Sequence, residues 1–234
     1  MDKIIEFKGV SKIYGEGENQ TYALKNVDFS IDKGEFVVVL GPSGAGKSTI
    51  LNILGGMDRV SQGDVIISGE SITSYNDREL AKYRAMNIGF VFQFYNLIPT
   101  LTVYENVALM KEIKKDILDV KEVLEGLGID SHMHKFPSQL SGGEQQRVSI
   151  ARAITKNPTI LLCDEPTGAL DSTTGEMVLT ELKKACKEHH HTTIIVTHNM
   201  ALSEAADKVI YIKNGGVEKV VVQASPCEIS EVKW

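Results

Sequence analysis

Residues Gly41-Pro42-Ser43-Gly44-Ala45-Gly46-Lys47-Ser48-Thr49 combine glycines, a lysine and hydroxyls directly behind the apolar run Phe36-Val37-Val38-Val39-Leu40. The pattern G-x-x-x-x-G-K-[ST] after a strand predicts a loop whose backbone N–H groups curl around phosphate. A helix opening near Lys47 adds its positive dipole end. Lys47 then reaches the outer phosphates of a triphosphate, and the Ser48 hydroxyl is placed to ligate Mg²⁺. Further on, Ile160-Leu161-Leu162-Cys163-Asp164-Glu165 is an apolar strand ending in two adjacent carboxylates. At the carboxyl edge of an α/β sheet, where ligands collect, such acids face different targets because strand side chains alternate. Asp164 is assigned to Mg²⁺, directly or through water, and Glu165 to the attacking water as general base.

A second glycine motif, Leu140-Ser141-Gly142-Gly143-Glu144-Gln145, opens another helix. Ser141 with Glu144 three positions later makes a capping box. Capping does not require two successive glycines, which lose entropy in a first turn and make more sense where backbone approaches an anion.

These residues need a scaffold. Strands are predicted over residues 4–7, 23–31, 36–40, 63–68 and 88–92, with a turn-prone stretch over 14–21. After the phosphate loop, Ile50, Leu51, Ile53 and Leu54 give a helix a buried face, and Gly55-Gly56 ends it. From about residue 103 to 136 the texture is helical, with Val120, Val123, Leu124 and Leu127 at helical spacing, a candidate inserted subdomain. Helix over 144–154, strand over 159–163, helix over 174–188 and strand over 192–196 then alternate, which argues for parallel βαβ units. Residues 209–222 form a hairpin through Asn214-Gly215-Gly216. The run His189-His190-His191 is expected in solvent at a helix end rather than on a metal.

The chain of 234 residues buries a core without staples, and its three cysteines form no C-x-x-C pair, as expected of a cytoplasmic protein. A net charge of -6 argues against a nucleic-acid partner. No apolar run approaches the roughly 20 residues of a membrane span, and the start lacks a secretory pattern, so a soluble chain is expected, with any membrane-embedded part on a partner.

Taken together, the phosphate loop, residues 140–144, Asp164-Glu165, Ala169-Leu170-Asp171 and His198 after the strand Ile194-Ile195-Val196-Thr197 resemble the ATP-binding-cassette family over nearly the whole chain. The resemblance implies an α/β P-loop NTPase fold. Its mostly parallel core sheet would be flanked by helices, with an N-terminal antiparallel β subdomain and a helical subdomain inserted at about residues 94–140 of a single nucleotide-binding domain. Tyr14 matches the ring that stacks on adenine, the alternative being a core or turn tyrosine. Gln93, in Phe92-Gln93-Phe94, matches the glutamine that touches Mg²⁺ and the lytic water. His198 matches the histidine that bonds the γ-phosphate, and Asp171 the loop that communicates across a dimer. Ser141, Gly142 and Gly143 are implied to complete the nucleotide site of another subunit, so that two copies sandwich two ATP molecules head to tail. ATP and Mg²⁺ are the implied cofactors. The implied partner is a separately encoded membrane permease that holds the cassette on the inner face of the cell membrane. Within the family, the motifs Tyr22-Ala23-Leu24-Lys25-Asn26-Val27 and Glu165-Pro166-Thr167-Gly168 look like the lipoprotein-release, macrolide-export and peptide-resistance type. A non-transporting mechanical complex, or a cassette acting on DNA or ribosomes, is the alternative.

Overall fold

The computed structural model describes residues 2–93, 95–168 and 170–233, with backbone alone for Glu18 and His189. Phe94 and Ala169, quoted in the motifs above, lie outside the described residues. In chain order the elements are β1 (Lys3–Tyr14), β2 (Thr21–Asp32), β3 (Phe36–Leu40), α1 (Lys47–Leu54), β4 (Gln62–Ile67), β5 (Glu70–Ser71), α2 (Asp77–Asn87) and β6 (Ile88–Val91). They continue with α3 (Val103–Ala108), α4 (Val120–Gly126), α5 (Gly142–Thr155), β7 (Ile160–Asp164), α6 (Ser172–His189), β8 (Thr192–Thr197), β9 (Lys208–Lys213) and β10 (Gly216–Val222).

Two sheets result. The larger has the order β10-β9-β3-β8-β7-β6, parallel throughout except for the antiparallel edge strand β10. Its interior strands are apolar on both faces because both faces are covered. Phe36, Val38, Leu40, Leu161, Cys163, Ile195 and Val209 enter the core under α3 to α6. Val37, Val39, Ile160, Leu162, Ile194, Val196 and Ile210 enter the opposite core, shared with α1 and the smaller sheet. That second sheet, β2-β1-β4-β5, is antiparallel.

Three elements depart from the sequence expectation. β1 runs on to Tyr14 instead of ending near Phe7, because register shifts around Gly9, which sits at φ 58, break the two-residue alternation that marks a strand. α2 went unpredicted: it buries only Leu80 and Tyr83, but Asn76 and Glu79 form a capping box that signals its start. The helical region resolves into two short helices, each started by a side-chain cap at Thr102 or Asp119.

Between them and the strand β6, the loop is braced by the fully buried Asn106. Its Nδ2 donates to the carbonyls of Ile98, Leu101 and Thr102 at 3.1, 3.0 and 3.0 Å, and its Oδ1 accepts the Ile98 N–H at 2.8 Å. Asn106→Ala leaves those groups without their partner, so stability falls by about 2–3 kcal/mol in urea unfolding. An unchanged midpoint contradicts the bracing role.

Candidate nucleotide site

The loop between β3 and α1 is shaped by glycine. Gly44 and Gly46 adopt φ 75 and 105, the left-handed region, and Gly46 serves as the N-cap of α1. A side chain at Gly41 would strike the Ile212 carbonyl oxygen, and one at Gly46 would come within 2.5 Å of the Ala23 carbonyl oxygen. The loop is thus pressed against β9 and the start of β2. Lys47 folds back over it, 8% exposed, and its Nζ donates to the carbonyls of Gly41 and Pro42 at 2.7 and 2.9 Å.

The adjacent acids Asp164 and Glu165 diverge for a visible reason. β7 carries Asp164 to its last position, beside the Ser48 hydroxyl and within the field of Lys47. Glu165 then turns at φ 48, its N–H donating to the Val196 carbonyl at 2.9 Å. Its carboxylate accepts Thr197 Oγ1–H at 3.0 Å on one oxygen and His198 Nδ1–H at 2.9 Å on the other. The Glu165 side chain is 18% exposed and that of His198 77%. Thr197 is the partner that sequence reasoning passed over; its place one strand end from Glu165 in the parallel order β7-β8 was the available signal.

Burial holds the Asp164 carboxyl above the usual carboxylate range; the charge of Glu165 adds, while the Ser48 hydroxyl and Lys47 oppose. The folded state therefore binds this proton more tightly than the unfolded chain does. The stability it contributes is present at acid pH and is lost as pH rises through the raised value. Without ligand at neutral pH, Asp164→Asn is expected to melt at a higher temperature than the parent, with the gap narrowing toward acid pH. A lower melting temperature at neutral pH contradicts this.

These groups line one cleft of about 490 Å³. Ser43, Gly44, Gly46, Lys47, Ser48 and Thr49 form its floor, and Asp164, Glu165, Gln93 and His198 stand over them, with Ala23, Gly168 and Val196 as further wall. Gly41, Pro42 and Ala45 sit behind the floor rather than in it. Tyr14 does not line the cleft: its hydroxyl donates to Asp58 Oδ2 at 2.6 Å and neighbours Thr49, its ring has Lys12 Nζ 4.7 Å from the centroid, and the residue is 42% exposed. The loop that follows Gln93 is tied to α5, since Arg152 donates to the carbonyls of Asn96 and Tyr95 at 2.8 and 3.2 Å.

The second glycine motif is elsewhere. Ser141 and Gly142 are exposed at the N-terminus of α5, and neither they nor Gly143 line the cleft. Asp171 is also outside it, capping α6 by accepting Thr174 N–H and Oγ1–H at 3.0 and 2.7 Å. Of the histidine run, His190 is exposed as expected, but His191 is buried, with Nε2 3.0 Å from Asn157 Oδ1, because the chain turns inward there to begin β8.

A parallel sheet with a glycine loop between a central strand and the first helix, facing carboxylates at the strand ends, defines a P-loop NTPase. The sequence pattern of the ABC transporter family matches residues 24–168, and the chain belongs to that family. It is 44% identical over 234 residues to the ABC transporter ATP-binding protein MG065 of Mycoplasma genitalium, covering 99% of this chain and 50% of that protein. The chain thus spans about half the length of that relative. It is 44% identical over 219 residues to the macrolide export ATP-binding/permease protein MacB of Mannheimia succiniciproducens, covering 92% of this chain and 34% of MacB. Among solved structures, the dimeric post-hydrolysis state of the ATP-binding cassette MJ0796, bound to ADP and Pi, superposes with a TM-score of 0.86 at 42% identity. The match covers 95% of this chain and all of that one, and MJ0796 comes from Methanocaldococcus jannaschii.

Proposed function

We propose that two copies of this chain bind two ATP molecules head to tail, hydrolyse them, and drive a membrane permease that lies outside residues 1–234. One observation carries the dimer: the cleft holds a phosphate loop and carboxylates, while the second glycine motif stands exposed on another side of the same chain. An exposed first turn with two glycines, Gly142 and Gly143, suits a triphosphate presented by a second copy. The dimeric state of the MJ0796 cassette supports this reading.

In the proposed reaction the loop residues 41–49 cradle the phosphates and Lys47 contacts the outer two. Ser48, Asp164 and Gln93 bring hard oxygen donors to one cleft, a set that fits Mg²⁺. The ion, when bound, would neutralise charge developing on the phosphoryl oxygens. Glu165 takes the proton of the attacking water, the water oxygen bonds to the γ-phosphorus, and the bond to the β,γ-bridging oxygen breaks, leaving ADP and phosphate. Thr197 and His198 hold Glu165 in place, and His198 also reaches toward the γ-phosphate. Tyr14, next to the cleft-lining Thr49, would stack on the adenine, and Asp171 would carry communication between subunits.

The segment 94–140 is proposed as the inserted helical subdomain of a single domain, and the loop from Gln93 to Asn96, tied to α5 by Arg152, as the route to the permease. The task is proposed to be export or extraction of a lipoprotein, peptide or drug; the macrolide export named for MacB supports the drug alone. Among the described residues no helix is long and apolar enough to cross a membrane. The family resemblance, rather than that absence, is the ground for proposing that the cassette sits peripherally on the cytoplasmic face of the membrane.

The dimer reading is tested by measuring phosphate release per chain at rising protein concentration. The specific rate should climb and then saturate; a rate independent of concentration overturns it.

A further inference from the structure

The cap that starts α5 puts negative charge where a triphosphate is expected. Ser141 Oγ accepts the Glu144 N–H at 3.3 Å, and Glu144 Oε2 accepts the Ser141 N–H at 2.6 Å. This box takes up the N–H groups of Ser141 and Glu144 and leaves those of Gly142 and Gly143 to an outside acceptor. It also fixes a carboxylate in the same turn, where an approaching phosphate meets like charge.

The fold places a histidine against that carboxylate. His132 Nε2 lies 3.5 Å from Glu144 Oε1, the oxygen that the cap does not use, and both side chains are 22% exposed. The other ring nitrogen, Nδ1, is 3.3 Å from Ser131 Oγ. The turn bearing His132 is anchored on both sides. Leu127 and Ile129 before it are buried, and the carbonyls of Met133 and Lys135 after it accept the N–H groups of Tyr104 and Val103 at 2.9 and 2.8 Å. The Ser141 N–H, with its hydroxyl, holds the Glu144 carboxyl below the usual carboxylate range, and the charges of His132 and Lys135 act in the same direction.

We propose that His132 is a positioning residue for ATP-driven pairing: it fixes Glu144 on the Ser141 cap and offsets its charge, so that the exposed end of α5 accepts the γ-phosphate held by a second copy. This rests on the head-to-tail reading above. With His132 held against Glu144 the pairing is tight; without it the carboxylate is left to face the incoming phosphate and pairing weakens.

The test uses the full chain carrying Glu165→Gln, to prevent turnover, with MgATP as the probe and sedimentation as the readout. A partly exposed ion pair shifts an equilibrium by about twofold to fivefold, and a symmetric dimer uses it twice, so adding His132→Gln should weaken pairing about tenfold with an unchanged melting temperature. Adding His132→Lys instead should keep pairing tight. If His132→Gln pairs like the reference, or His132→Lys fails to restore pairing, the proposal is overturned while the dimer stands. If the reference itself never pairs with ATP, the head-to-tail reading falls and this inference with it.

Discussion

Glu165→Gln is expected to lower the rate of ATP hydrolysis by about 10² to 10⁴-fold, the range a positioned general base supplies, with nucleotide affinity close to that of the parent. The geometry separates the two effects. Glu165 holds no part of the phosphate loop; its carboxylate bonds Thr197 and His198, and its neighbour Asp164 takes the place beside Ser48 and Lys47. Glutamine keeps the size and can still accept the Thr197 hydroxyl, so the wall of the cleft persists. What it loses is the capacity to take a proton from water. Single-turnover phosphate release and a binding titration on the same preparation measure both quantities. Near-normal turnover removes Glu165 from the chemistry, and lost binding with lost turnover makes its role structural.

Lys47→Ala is expected to act on the other quantity. A charge-assisted bond to phosphate contributes about 1.5–3 kcal/mol, so ATP affinity should fall by about tenfold to 150-fold. The buried ammonium spans the loop between the Gly41 and Pro42 carbonyls, and truncation also releases those carbonyls from their donor. Lys47→Arg should recover little, because a planar guanidinium does not fit a slot that leaves lysine 8% exposed. Calorimetric titration checks both variants; affinity within about twofold of the parent would place the triphosphate elsewhere.

The parts of this architecture visible in the sequence are those whose physics is local. The apolar runs of β3, β7 and β8 are legible because strands covered on both faces need no alternation, and the phosphate loop because only glycine takes the conformations at positions 44 and 46. The capping box at Ser141 is likewise a short-range pattern. α2 was obscured by its polar surface, and the full length of β1 by irregular register. Contacts between distant segments were illegible for another reason: nothing near Glu165 announces Thr197 as its donor, and nothing near Glu144 announces His132. The histidine run shows the same limit, since only the turn into β8 decides that His191 goes inward. Asp164 and Glu165 were assigned from the strand-end pattern and Gln93 and His198 by resemblance; all four line one cleft, whereas residues 141–143 do not line it.

That separation makes the solution mass of the Glu165→Gln chain the most direct measurement. By light scattering at saturating MgATP it should double from that of one 25.7 kDa chain, and it should stay single with ADP. Ser141→Arg added to it should abolish the doubling while leaving ATP binding to the single chain intact. A single mass at saturating MgATP, or a doubled mass indifferent to Ser141→Arg, contradicts a site completed by a second copy.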